Sequence, residues 1–179
     1  MREPEWRSEA AKTGLSLCII LIVLNVVFFI IQERSPGVDV LVAEKVVRLS
    51  KFTHDWNLQA EEVKNGKVWK LLSYQFLHGG FFHLLINCLM IWFAGRQIEQ
   101  SLGKAKFISL YLIAGVFGGL LHCALEWVGF LGISLGVVGA SAGVSGIIAA
   151  FAMLLWNREL TFLLMFIIPI TMKAKYLLL

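Results

Sequence analysis

Charge is scarce in this chain. Only 16% of its 179 residues are Asp, Glu, Lys or Arg, where a soluble globular domain carries about a quarter. Hydrophobic residues make up 58% and the mean hydropathy is +0.76. That balance excludes an ordinary soluble domain. Several apolar runs approach the roughly 20 residues that cross a bilayer as a helix, so the fold class expected is all-α, a polytopic helical membrane protein. The net charge of +4 is no argument for nucleic acid, because the basic residues cluster beside apolar runs as topology signals do. Cysteine is sparse too. Cys18, Cys88 and Cys123 are odd in number and fit no zinc spacing, so neither a full disulfide set, a metal nor a cofactor is expected. A cleavable signal is missing: the apolar stretch Gly14–Ile31 exceeds the usual roughly 7–15 residues, and no small-x-small site follows it. Repeat halves and paired broken helices, the marks of many transporters, are missing as well. The absence with the largest chemical consequence concerns histidine. The chain has His54, His78, His83 and His122, and none follows Ser141.

What is present sets out an order of spans. A polar segment, residues 1–13, carries Arg2, Arg7 and Lys12. Gly14–Ile31 reads as span one, Gly80–Gly95 as span two, Phe107–Leu125 as span three and Val137–Trp156 as span four. Residues 32–77 form a first loop too long for a tight turn and apolar at Val38–Val42 and Val46–Leu49. Loops of that length have their own structure or function, and short amphipathic helices at the membrane interface are expected. Leu160–Ile168 is too short to span, and Pro169 interrupts it. The end, Tyr176–Leu179, reads as the first turn of a further span. Lys and Arg beside the spans place residues 1–13 in the cytoplasm and the Lys/Arg-free loop 126–136 outside. His78, His83 and Ser141 then lie near the outer face.

Two constellations carry chemistry. His83 and Asn87, four apart, share one helix face, with His78 at or before the helix start. Polar side chains inside a membrane are costly and mark function, yet His and Asn also serve as interhelical glue. Ser141 stands in Gly139-Ala-Ser-Ala-Gly143. Small residues spaced four apart let helices approach closely. That spacing equally sets a serine at a helix start, where a free backbone N–H can join an oxyanion hole. Ser145 lies one turn on and is the weaker nucleophile candidate. Gly95-x3-Glu99-x3-Gly103 reads as a helix end with a solvated glutamate and a glycine cap, and Trp69-Lys70 as an interfacial anchor.

Trp69-Lys70, His78-x4-His83-x3-Asn87, Gly95-x3-Glu99-x3-Gly103 and Gly139-Ala-Ser141, in this order, resemble the rhomboid intramembrane serine proteases from about Gly66 to Leu179. The resemblance implies a rhomboid-like bundle over residues 14–179: four spans and the start of a fifth, out of six in a complete domain. It implies Ser141 as nucleophile, His83 and Asn87 as oxyanion donors, Trp69, His78, Gly95, Glu99, Gly103, Gly139 and Gly143 as structural positions, and a first loop that braces the fold. Its substrates would be transmembrane proteins in a lipid bilayer, with no nucleic acid involved, and the expected location is a bacterial inner (plasma) membrane. Four departures stand out. Lys70 replaces the family's usual arginine and forgoes a bidentate contact. Ala142 replaces a glycine. Ser145 stands where many members have an aromatic ring. The family's catalytic histidine, borne on span six, has no counterpart here, and a serine hydroxyl without a base is a poor nucleophile. His83 is assigned to the oxyanion and His122 to polar packing, so the chain as it stands is expected to be inert. A C-terminally truncated protease explains this, and an inactive relative that binds membrane clients is the alternative.

Overall fold

The computed structural model describes residues 16–42, 45–131, 135–164 and 168–178; the segment 1–13, expected in the cytoplasm, lies outside them. Among the described residues, three helices are long and apolar enough to cross a membrane: α1 (Leu17–Arg34), α5 (Phe81–Leu102) and α6 (Lys104–Trp127). A shorter apolar helix, α7 (Ser141–Leu154), packs among them. In lipid each backbone polar group must find its partner inside the protein, so these near-continuous apolar runs close into helices. Their outward faces stay apolar, with Phe82 75% and Phe117 69% exposed, the signature of a surface meant for hydrocarbon rather than water.

Glu99 explains how α1 and α5 are joined. Its carboxylate accepts hydrogen bonds from Leu17 N (2.8 Å), Cys18 N (3.0 Å) and Ser16 Oγ (2.5 Å). The two backbone N–H groups are donors that a helix start leaves unsatisfied, and a carboxylate there also meets the positive end of the helix dipole. Glu99 is therefore buried, which corrects the solvated glutamate expected from the sequence: the end of α5 caps the start of α1. The flanking glycines have separate reasons. A Cβ on Gly95 would meet the Phe107 ring at 3.1 Å, so the glycine lets α6 approach. Gly103, at φ +85°, ends α5 and opens α6 in a conformation that glycine adopts without strain. One wide turn, Ile91–Gly95, interrupts α5, and Cys18 Sγ donates to the Ile91 carbonyl at 3.1 Å there.

α7 lies on α6 through its small residues. A Cβ on Gly143 would stand 2.7 Å from the Tyr111 ring and 2.8 Å from its carbonyl oxygen; one on Gly146 would stand 2.4 Å from Ala114 Cβ. Ala142 Cβ occupies the space over Gly118. The helix starts four residues later than the span expected from Val137, because Val137 is extended and bridged to Leu58 and Gly139 has φ +136°.

The first loop contains the short helices expected, α2 (Lys51–Trp56), α3 (Ala60–Lys64) and α4 (Lys70–Ser73). It also holds an antiparallel hairpin, β1 (Gly37–Val42) with β2 (Lys45–Ser50), pairing Asp39 with Arg48 and Val40 with Val47. A second hairpin joins β3 (Glu159–Leu164) to β4 (Ile168–Lys173). Pro169 is tolerated in it because a two-stranded hairpin offers an edge where no N–H is required. Ala174–Leu178 follows as a 3₁₀ turn. The helical bundle thus carries two small hairpins that the apolar pattern alone did not separate from helix.

Candidate active site

Ser141 is the first residue of α7, preceded by Ala140 in the cap position, so its N–H lies among the first donors of the helix, which have no intrahelical acceptor. Its side chain is exposed while the next turn, Gly143 and Val144, is buried. The approach to the serine is held from three sides. Leu58 N donates to Val137 O at 3.0 Å and Val137 N to Leu58 O at 2.8 Å. Asn57 Nδ2 donates to Leu135 O at 2.7 Å, and Gly139 N donates to Tyr74 O at 2.9 Å. The first loop therefore fixes the strand that delivers Ser141.

Gly139 is where serine and histidine meet. A Cβ at this position would lie 2.7 Å from His83 Cε1, 3.0 Å from His83 Nε2 and 3.4 Å from Ser141 Oγ. The imidazole edge and the serine hydroxyl thus border one small space, and only a residue without a side chain leaves it open. Asn87, buried one turn further along the same face of α5, donates from Nδ2 to the His83 carbonyl at 2.8 Å. His78 stacks edge-on against His83, with ring centroids 5.2 Å apart, and is buried. His122 lies elsewhere, with Nε2 3.3 Å from the Glu126 carboxylate one turn along its own helix, in keeping with polar packing. Ser145 is exposed one turn beyond Ser141. Among the described residues no group of three His, Cys, Asp or Glu could hold a metal.

Several residues around this site escaped the sequence reading. Gln32, at the end of α1, brackets the His78 backbone: its Oε1 accepts from His78 N at 2.9 Å and its Nε2 donates to His78 O at 3.1 Å. Tyr74 Oη donates to Gly115 O at 2.6 Å and Tyr111 Oη to Gln75 O at 3.1 Å. For Gln32, a polar residue at the end of an apolar run was the one available signal. Trp69-Lys70 also differs from the expected anchor pair. Trp69 is half exposed, but Lys70 is buried and pairs with Glu62.

A family model for the Rhomboid domain matches residues 65–178. The chain belongs to the rhomboid family. Among its relatives, the Arabidopsis thaliana "RHOMBOID-like protein 5" is 36% identical over 89 residues, covering 50% of this chain and 28% of that protein. The Bacillus subtilis (strain 168) "Putative rhomboid protease YdcA" is 33% identical over 99 residues, 55% of this chain and 47% of the relative. "Rhomboid protease GlpG" of Yersinia pestis (strain Pestoides F) is 35% identical over 77 residues, 43% and 27% respectively. The matched part of the chain spans less than half the length of each. Rhomboid membership, with the apolar helices, makes this an integral membrane protein of an intramembrane protease family. The rhomboid match starts after the β1–β2 hairpin, Gln32 and the Asn57–Leu58 brace.

Proposed function

We propose that the protein acts in an intramembrane serine endopeptidase that cleaves transmembrane helices of membrane-protein substrates. Ser141 is the nucleophile, attacking the scissile carbonyl. His83, Asn87 and the Ser141 N–H receive the oxyanion. The observation that carries this reading is the convergence of His83 Nε2 and Ser141 Oγ on the space beside Gly139. The base is assigned to a histidine outside these residues, since no histidine follows Ser141. That same observation supports a second reading, an inactive rhomboid-like protein that binds membrane clients. A fluorophosphonate probe separates them. The 179-residue chain in lipid is expected not to label, a longer form with a histidine-bearing span is expected to label, and Ser141→Ala is expected to abolish that labelling while Ser145→Ala leaves it. Strong labelling of the short chain at Ser141 would show that another group, His122 or a partner subunit, serves as base. A longer, folded form that stays unlabelled would leave the client-binding reading.

The membrane proposed is a bacterial inner membrane, with residues 1–13 in the cytoplasm and the α6–α7 connection outside. The Lys and Arg distribution supports this orientation. Val128 is 76% exposed just past α6, so Val128→Cys, with the native cysteines replaced, is expected to react with an impermeant thiol reagent in intact cells. Reaction only after lysis would reverse the topology.

A further inference from the structure

Backbone geometry sets which nitrogen of His83 carries its proton. Gly79 N–H donates to His83 Nδ1 at 3.4 Å. A backbone N–H can only donate, so Nδ1 must accept, and a neutral imidazole then bears its hydrogen on Nε2. Nε2 lies, with Cε1, on the ring edge that borders the space at Gly139, which Ser141 Oγ borders too. His83 therefore presents a donor, and no lone pair, to the space it shares with Ser141. This is the form that can receive an oxyanion and cannot take the hydroxyl proton.

The bond from Gly79 is long, so it depends on how the His78–Gly79 peptide plane is turned. That plane has a second partner. Its carbonyl, His78 O, accepts from Gln32 Nε2 at 3.1 Å, while the preceding His78 N–H donates to Gln32 Oε1 at 2.9 Å. The peptide is trans, so its C=O and N–H point to opposite sides: one toward Gln32, the other toward His83. Gln32 is itself held. It is buried, and its Nε2 also donates to Thr53 Oγ1 at 2.9 Å. A flipped amide would set oxygen against the His78 carbonyl and nitrogen against the His78 N–H, so the pairing fixes its orientation. Hydrogen bonds in such a chain polarise one another, running from Gln32 through one peptide to His83.

We infer that Gln32, on the first membrane helix, is a positioning residue that locks His83 in its Nε2–H tautomer through the His78–Gly79 peptide. The inference rests on the reading of His83 as an oxyanion donor and adds the device that keeps it one.

The test is ¹⁵N NMR of histidine-labelled protein, the 179-residue chain in micelles at neutral pH, with His83 assigned by loss of its signals in His83→Gln. The expected spectrum has an unprotonated, pyridine-type Nδ1 and a protonated, pyrrole-type Nε2. In Gln32→Leu both shifts should move toward the averaged values of exchanging tautomers. Gln32→Glu keeps the acceptor for His78 N–H but loses the donor to His78 O, and should release the tautomer in the same direction. A protonated Nδ1 in the unmodified chain overturns the inference, as do wild-type shifts in folded Gln32→Leu. Should Gln32→Leu fail to fold, the unmodified spectrum still decides the tautomer and Gln32→Glu decides the role of Gln32. None of these spectra needs turnover, so a wrong tautomer removes this inference alone. Failure of Ser141 labelling in the longer form removes the protease reading instead.

Discussion

His83→Ala is expected to lower turnover by about 10²–10³-fold in a form of the protein that carries a base for Ser141, the loss typical of removing one oxyanion donor. The effect should fall on kcat with KM little changed, because the interaction strengthens only as charge develops on the carbonyl oxygen. The shared space that His83 Nε2 and Ser141 Oγ border at Gly139 motivates this. Asn87→Ala should act in the same direction. One N–H of its amide is spent on the His83 carbonyl, and the group has a second with which to donate. Asn87→Ala also removes a tie to the His83 backbone, so its loss combines two effects. Steady-state cleavage of a transmembrane substrate in micelles measures both variants. Unchanged kcat with raised KM for His83→Ala would assign His83 to substrate binding and not to the transition state.

The parts of the fold legible in the sequence are those with long-range periodicity or chemistry that lipid makes costly. Apolar runs located α1, α6 and the start of α5 to within about three residues, since a bilayer leaves the backbone no alternative to helix, but α5 runs on past the expected end at Gly95 to Leu102. Ser141, His83 and Asn87 could be named because polar residues in apolar runs are few. Glu99 was visible but misread, since nothing in its neighbourhood announces that its partners are Leu17 and Cys18, about eighty positions away. The two hairpins were hidden for a related reason. Val38–Val42 and Leu160–Leu164 are short apolar runs whose period does not distinguish strand from helix, and their pairing is decided by the turn and by the partner strand. Gln32 carried a signal, a buried polar residue at a span end, but its meaning lies in the His78 backbone, and backbone partners leave no trace in side-chain identity.

Glu62→Ala is expected to destabilise the fold by about 3 kcal/mol, the lower part of the range for stranding a buried charge, and more than Lys70→Met does. The asymmetry follows from exposure. The Lys70 side chain is 2% exposed and the Glu62 side chain 25%. Remove the carboxylate, and an ammonium remains buried without its counter-ion. Remove Lys70, and Glu62 keeps water and its bond from Lys67 Nζ at 2.6 Å, an exposed pair worth about 0–1 kcal/mol. Lys70→Arg, restoring the side chain usual in the family, should be tolerated, because a guanidinium can reach the same carboxylate in two bonds. The pair also has a pH signature. Burial alone would raise the Glu62 carboxyl, but the hydrogen bonds from Lys67 and Lys70 outweigh it and hold it below its ordinary value of 4.5. A carboxyl lowered on folding stabilises the native state above its unfolded value and ceases to do so as pH falls through the folded one. The difference in unfolding free energy between the native chain and Glu62→Gln should therefore be full at neutral pH and shrink below about 4.5. Denaturant unfolding in micelles at several pH values reads both effects. If Lys70→Met proves the more damaging change, the buried ammonium is compensated by something other than Glu62, and α3 is not held to α4 by this pair.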